Sequence, residues 1–204
     1  MTELHFCGAL VIWASCVARA QDIPQPPPMV RPNVEVRVSG LPSLRAQSGD
    51  APDVLATSLA TILHDRSLCC GRDSALADRL PQSNPVSLKE VAAKLQGRQL
   101  LSDGRPILVT AEYVAANALN SGQLVGALLA NRAPLMEWNS HLYVVCGAIF
   151  DEAEYSDGTI TYAIRKILLL DTRFSDSRRE VAFDRGKDDL GKVQGVLFLT
   201  VAPQ

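Results

Sequence analysis

The chain has 204 residues, 47% of them hydrophobic and 21% charged, and its formal net charge is -2 at pH 7. This length suits one ordinary domain, and the sequence contains no internal repeat of the solenoid kind. Without a clustered basic excess the chain has no footprint for nucleic acid or for an anionic membrane surface, so neither is predicted as a partner.

The first 20 residues have the pattern of a cleaved export signal. An apolar run at 6–17 is followed by Ala18-Arg19-Ala20, which matches the small-x-small pattern at signal cleavage sites. The run is shorter than the about 20 apolar residues that a membrane-spanning helix needs. We therefore predict cleavage after Ala20 and export to the periplasm or the extracellular space. A lipid anchor on Cys16 is the alternative.

The cysteine count after removal of this leader is odd. The remaining chain has Cys69, Cys70 and Cys146, and its histidines are His64 and His141. In an oxidising compartment one of three cysteines stays free, bonds to another molecule or is reactive. A disulfide between Cys69 and Cys146 would leave Cys70 as that residue.

The composition divides the chain into three parts. The leader at 1–20 is followed by a proline-rich segment at 21–50 that we expect to be poorly ordered, and then by one domain at 51–204. Within the proline-rich segment, VEVRV at 34–38 alternates between apolar and polar residues, which predicts a short edge strand.

The first part of the domain has helical patterns. Apolar residues at helical spacing, or a cap, predict helices at 51–65, 73–80, 87–95 and 121–131. Ser87 followed by Glu90 is a capping box for the third of these helices. PILVT at 106–110 is the one strand predicted among them.

Strand-like runs then take over. They are PLMEW, HLYVVCGAIF, TYAIRKILLLD and GVLFLTV, with Asn139-Ser140 as a tight turn between the first two. Because helices come first and strands follow, we predict an α+β domain in which N-terminal helices pack on a C-terminal antiparallel sheet.

Three residues have the chemistry of a thiol nucleophile with its base. Cys70 stands at the start of a predicted helix, whose partial positive charge favours a thiolate. His141 opens one predicted strand and Asp171 closes the next. If these two strands form a hairpin, the open ends meet and Asp171 can orient the imidazole.

This arrangement resembles the papain-like cysteine peptidases, most of all the compact bacterial branch related to the bacteriocin-processing C39-type peptidases. The matching pieces are Cys70-Gly71, Ser140-His141-Leu142-Tyr143-Val144-Val145-Cys146-Gly147, and Leu170-Asp171-Thr172. In that family a Cys-Gly pair starts the first helix of the domain, the His begins a strand after a short turn, and an Asp ends a later strand. The resemblance covers residues 50–201 and implies a papain-like fold.

It also implies hydrolysis of peptide or amide bonds in a peptide or protein substrate, without a cofactor. Cys70 would attack the carbonyl, His141 would take and return the proton, and Asp171 would orient His141. The family usually has Gln about six residues before the nucleophile, where this chain has His64, and this imidazole would have to donate the hydrogen bond to the oxyanion. Thr172 stands where the family commonly has Pro.

A non-catalytic, secreted binding or structural domain of the same fold is the alternative, and the changes at His64 and Thr172 favour it. His141 would then be a surface residue, and the cysteines would be small buried hydrophobes. A zinc site is disfavoured because the two adjacent cysteines cannot easily both bind one tetrahedral ion. No metal site is therefore predicted.

Overall fold

The structure is a computed structural model that describes residues 26–42, 45–46, 50–63, 76, 79–80, 87–174, 178–182 and 193–204. Three α-helices and eight strands lie in these ranges. They are β1 (Met29–Arg37), α1 (Ala51–Ile62), α2 (Leu88–Leu95), β2 (Gly97–Leu100), β3 (Pro106–Ala115), α3 (Ser121–Leu129), β4 (Leu135–Trp138), β5 (His141–Glu154), β6 (Ile160–Leu170), β7 (Arg178–Ala182) and β8 (Val193–Pro203). A short 3-10 turn, Ala116–Ala118, precedes α3.

All eight strands belong to one antiparallel sheet. Seven of them are neighbours in the order β2-β3-β8-β4-β5-β6-β7, and β1 pairs with β5 outside this path. One edge of β5 is shared, because β4 pairs with it from His141 to Val144 and β1 pairs with it from Gly147 to Glu154. The other edge of β5 pairs with β6. The two shorter strands β4 and β1 therefore lie end to end along one edge of β5, the longest strand.

Helices cover both faces of this sheet. On one face α1 and α2 form a core with alternate strand residues such as Leu135, Val144 and Leu197. On the other face α3 forms a core with the residues between them, such as Met136 and Tyr143. This is the two-residue period of a strand, expressed on two buried faces.

The predicted arrangement, N-terminal helices packed on a C-terminal sheet as in the papain-like fold, is wrong. The chain is mostly antiparallel sheet, and two of its strands, β1 and β2, come from its N-terminal half. Residues 29–37, within the segment that we expected to be poorly ordered, form β1 against β5. The order of elements along a chain does not specify which distant strand an edge pairs with, and that pairing decided the architecture.

Local signals account for the elements that were predicted. The side chain of Ser87 caps α2 by accepting a hydrogen bond from the backbone N–H of Glu90 at 3.4 Å. Asn139 and Ser140 have φ angles of 53° and 60°, the two positive values that a type I′ hairpin requires. The predicted cap and the predicted turn are both confirmed.

Other elements were missed or fall outside the description. The patterns predict neither β2 nor β7, and they end β3 at 110 although it continues to Ala115. The sequence of β2, GRQL, has no apolar alternation, so only its pairing with β3 makes it a strand. Most of the helix predicted at 73–80 lies outside the described residues. In the described ranges no helix is long and apolar enough to cross a membrane.

Gly147 is a position of β5 where the backbone of β1 leaves no room for a side chain. A Cβ atom at Gly147 would lie 2.5 Å from the carbonyl oxygen of Val36 and 3.0 Å from a methyl group of Leu168. We expect Gly147→Ala to lower the free energy of unfolding by about 1–3 kcal/mol, because the backbone of β1 must move away.

Gly126→Ala is the matched control, since Gly126 lies within α3 and a Cβ there would meet nothing within 4 Å. It should raise the free energy of unfolding by about 0.5–1 kcal/mol. Urea unfolding of both variants checks the pair, and equal effects would contradict the close approach of β1.

Candidate functional site

The candidate site lies at the end of the sheet where β4 turns into β5. His141 is the first residue of β5, opposite Trp138. Asp171 directly follows β6, whose last residue, Leu170, pairs with Val144 of β5. The predicted pairing of these two strands is present, and it brings His141 and Asp171 to the same end of the sheet.

Arg173 lies between the two residues. Its Nε donates a hydrogen bond to Oδ1 of Asp171 at 2.8 Å, and its Nη2 donates to Oδ2 at 2.6 Å. Its Nη1 lies 3.1 Å from Nδ1 of His141. Asp171 is fully buried, whereas the Arg173 side chain is 20% exposed. The buried carboxylate thus holds a guanidinium that also contacts the imidazole.

This contact determines which nitrogen of His141 carries the proton. A guanidinium only donates hydrogen bonds, so Nδ1 of His141 accepts, and the proton of the neutral ring is on Nε2. In a Cys-His-Asp triad one ring nitrogen of the histidine donates to the carboxylate and the other, unprotonated, accepts the proton of the nucleophile. Here Nδ1 accepts from Arg173 and Nε2 carries the proton, so neither ring nitrogen is open to take a proton from a nucleophile.

Aromatic rings hold the guanidinium from its sides. The carbon Cζ of Arg173 lies 5.8 Å from the ring centre of Tyr143 and 5.6 Å from that of Phe174, within the range of cation–π contacts. Trp138 packs edge-on against Tyr143, with ring centres 5.7 Å apart. The hydrogen bonds to Asp171, ahead of all other causes, raise the pKa of Arg173 above its ordinary value, so the side chain stays charged.

Thr172 joins this site to α1. Its hydroxyl group lies 2.9 Å from the hydroxyl group of Ser58, and both side chains are fully buried. Its carbonyl oxygen accepts a hydrogen bond from the backbone N–H of Ala46 at 2.8 Å. Thr172, where the predicted resemblance leads us to expect Pro, thus has a structural use for its hydroxyl group.

The other predicted site residues cannot be placed. Cys70 and His64 lie outside the described residues, and so does Cys69. Cys146 is buried, and its Sγ lies 3.3 Å from the carbonyl oxygen of Leu168. The catalytic roles and the Cys69–Cys146 disulfide stay predictions. No group of three or more His, Cys, Asp or Glu side chains in the described part of the chain could hold a metal ion.

Sequence reasoning missed two charged residues at β4 and beyond β6. Arg173 follows Asp171 by two residues, and no local pattern indicates that its side chain reaches His141. Glu137 is half-buried on β4, opposite Leu142, where burial raises the pKa of its carboxyl group. The only sequence feature that could have indicated Glu137 is its position as a charged residue within the short apolar run PLMEW.

No protein-family model matches this chain, and no curated protein is significantly similar to it. Its function must therefore be argued from the site itself.

The ion pair at the site should contribute to stability. We expect Arg173→Gln to lower the free energy of unfolding by about 2–4 kcal/mol, because it leaves the buried carboxylate of Asp171 without its cationic partner. Arg105→Gln is the control, since the Arg105–Asp103 pair lies at the surface and is screened by solvent, and it should cost much less. Urea unfolding at neutral pH measures both, and equal losses would contradict the role of the buried pair.

Glu137 should make stability depend on pH. Its pKa is raised in the folded state, so the cost of burying the charge is absent below the unfolded pKa of about 4.3 and grows as pH rises through the folded pKa. We therefore expect Glu137→Gln to stabilise the protein at pH 7 relative to its effect at pH 3.5.

The measurement is urea unfolding of each variant at both pH values. Glu112→Gln is the control, because Glu112 is an exposed carboxyl group on β3 and pays no comparable burial cost. A Glu137→Gln effect that is the same at both pH values would contradict the burial argument.

Proposed function

We propose that this protein is an exported, non-catalytic binding domain whose recognition surface contains His141, Arg173 and Phe174 above the buried Asp171. The observation that carries this proposal is the position of Arg173, whose guanidinium donates to Asp171 and contacts Nδ1 of His141. A hydrolytic triad needs one ring nitrogen of the histidine for its carboxylate and the other, unprotonated, for the nucleophile. Here Arg173 contacts both the carboxylate of Asp171 and the imidazole of His141, the two groups that a triad would pair with each other.

The composition of this surface suits recognition of a peptide or protein. Arginine and aromatic residues are enriched at the energetic centres of protein interfaces. Asp171 and Tyr143 already hold Arg173 in place, so binding costs little side-chain entropy. Phe174 is 52% exposed and His141 is also exposed, so both are open to a partner.

The available hydrogen-bond donors indicate what such a partner offers. Arg173 uses one of the two Nη1 hydrogens toward His141, which leaves one. The neutral His141 ring carries its proton on Nε2. These two donors suit a carbonyl or carboxylate oxygen of a peptide.

A cysteine hydrolase is the second candidate, favoured by the common position of His141 and Asp171 at one end of the sheet. Cys70 would attack a peptide or amide carbonyl, with His64 donating to the oxyanion. For this chemistry Arg173 must leave the imidazole so that an unprotonated ring nitrogen can accept the proton of the thiol. Both candidates include export after removal of residues 1–20.

The reactivity of Cys70 separates the two candidates. In a binding domain the thiol should alkylate with the pH dependence of an ordinary cysteine, half-maximal near about pH 8.5, and His141→Gln should not change it. In a hydrolase the thiolate–imidazolium pair should keep the reaction fast at pH 5–6, and His141→Gln should slow it there.

The experiment is iodoacetamide labelling of the reduced, folded protein, read by intact mass. Cys69→Ser removes the neighbouring thiol, Cys70→Ser identifies the labelled site, and unfolded protein supplies the reference rate. Fast, His141-dependent labelling at low pH would overturn the binding-domain proposal. The same masses report whether residues 1–20 have been removed, as export requires.

A further inference from the structure

A cavity of about 510 Å³ lies at the opposite end of β4 from His141. Asn131 and Arg132, which precede β4, form part of its wall. Ser39 and Gly40, just after β1, form another part, and residues 199–201 of β8 a third. This volume is within the about 300–1,000 Å³ of small-molecule sites.

The strand pairing explains why the sheet opens here. β4 pairs with β8 only as far as Leu197, which lies opposite Leu135, the first residue of β4. Beyond that point β8 continues to Pro203 along β3, while β1 occupies the edge of β5. The cavity lies where β8 and the end of β1 separate.

One wall of the cavity is polar and rich in donors. Oδ1 of Asn131 accepts hydrogen bonds from the backbone N–H of Ser39 at 2.8 Å and from its hydroxyl group at 3.1 Å. The amide oxygen of Asn131 is thus bonded to Ser39, and its Nδ2 donor takes no part in this contact. Arg132 makes no ion pair with a carboxylate among the residues that the structure describes.

Apart from Thr200, the side chains of the remaining walls are apolar. They are formed by Ile62 and Leu63 at the end of α1 and by Leu199 and Val201 of β8. A ligand that fits both kinds of wall has an apolar body and one anionic group.

A smaller cavity that Arg132 also lines has a different set of neighbours. Its volume is about 140 Å³, and Glu112 and Gln123 line it together with Arg132. A carboxylate in its wall disfavours an anion, so the anionic group belongs in the larger cavity.

We propose that the larger cavity binds a small amphipathic organic anion, with its carboxylate or sulfonate at Arg132 and Asn131 and its apolar body against Ile62, Leu63 and Val201. This site is separate from the His141–Arg173 surface and does not depend on the function proposed for that surface.

Two fluorescent probes of similar shape test this proposal on the full chain. Anilinonaphthalene sulfonate carries an anionic group on an aromatic body, and N-phenylnaphthylamine has nearly the same body without the charge. We expect both to bind the folded protein. Arg132→Gln should weaken the sulfonate by about tenfold, the loss of one charge-assisted contact, and change the neutral probe less than twofold.

Three further variants locate the site. Val201→Phe fills the cavity and should weaken binding of both probes at least tenfold. If this variant does not fold, Ser39→Trp takes its place, since Ser39 lies at the exposed rim and a large side chain there also blocks the cavity. Arg98→Gln, an exposed arginine of β2, controls for general electrostatic attraction and should change neither probe.

Four results would overturn the proposal. Binding of neither probe to the folded protein would exclude the cavity as a ligand site. Unchanged sulfonate binding in Arg132→Gln, or an equal loss in Arg98→Gln, would remove the anion site. Unchanged binding in the folded cavity-filling variant would place the probes elsewhere.

Discussion

The sharing of one edge of β5 by β4 and β1 is the constraint on which the rest of the structure depends. β4 has only four residues, so it satisfies the backbone groups of β5 only from His141 to Val144. The backbone groups farther along this edge need another partner, and β1 supplies it from Gly147 onward. Gly147 lacks a side chain where the backbone of β1 leaves no room for one.

Both candidate sites follow from the short length of β4. At its C-terminal end the two-residue turn at Asn139 and Ser140 places His141 at the very end of the sheet, level with the residues that follow β6. Beyond the N-terminal end of β4, β8 has no pairing with β4, and the cavity opens there. A longer β4 would close the cavity and shift the turn.

Electrostatics decides what the His141 end can do. Asp171 is fully buried, and a buried carboxylate needs a charged or strongly donating partner. Arg173, two residues later, meets that need with two side-chain hydrogen bonds and a third from its backbone N–H at 3.1 Å. Its fork then reaches His141 as well. One ion pair that stabilises the loop after β6 therefore also sets the tautomer of the imidazole.

The two charged residues of this end face different environments. Arg173 lies between Tyr143 and Phe174, where a cation is favourable. Glu137 lies on the other face of the sheet, on the side of α1 and α2, since it is opposite Leu142, a member of that core. Burial raises the pKa of its carboxyl group, so its charge is costly there. A surface of fixed charge and aromatic rings suits recognition better than proton transfer.

The sequence by itself determined the features that depend on neighbouring residues. The cap at Ser87, the turn at Asn139-Ser140 and the C-terminal strands follow from local hydrogen bonds and from the periodicity of apolar residues. The predicted ends of β5 and β6 also placed His141 and Asp171 at the same end of the sheet. Only the tertiary structure decided that β1 pairs with β5 and that Arg173 lies between these two side chains, because strand pairing and side-chain reach depend on residues far apart in the chain.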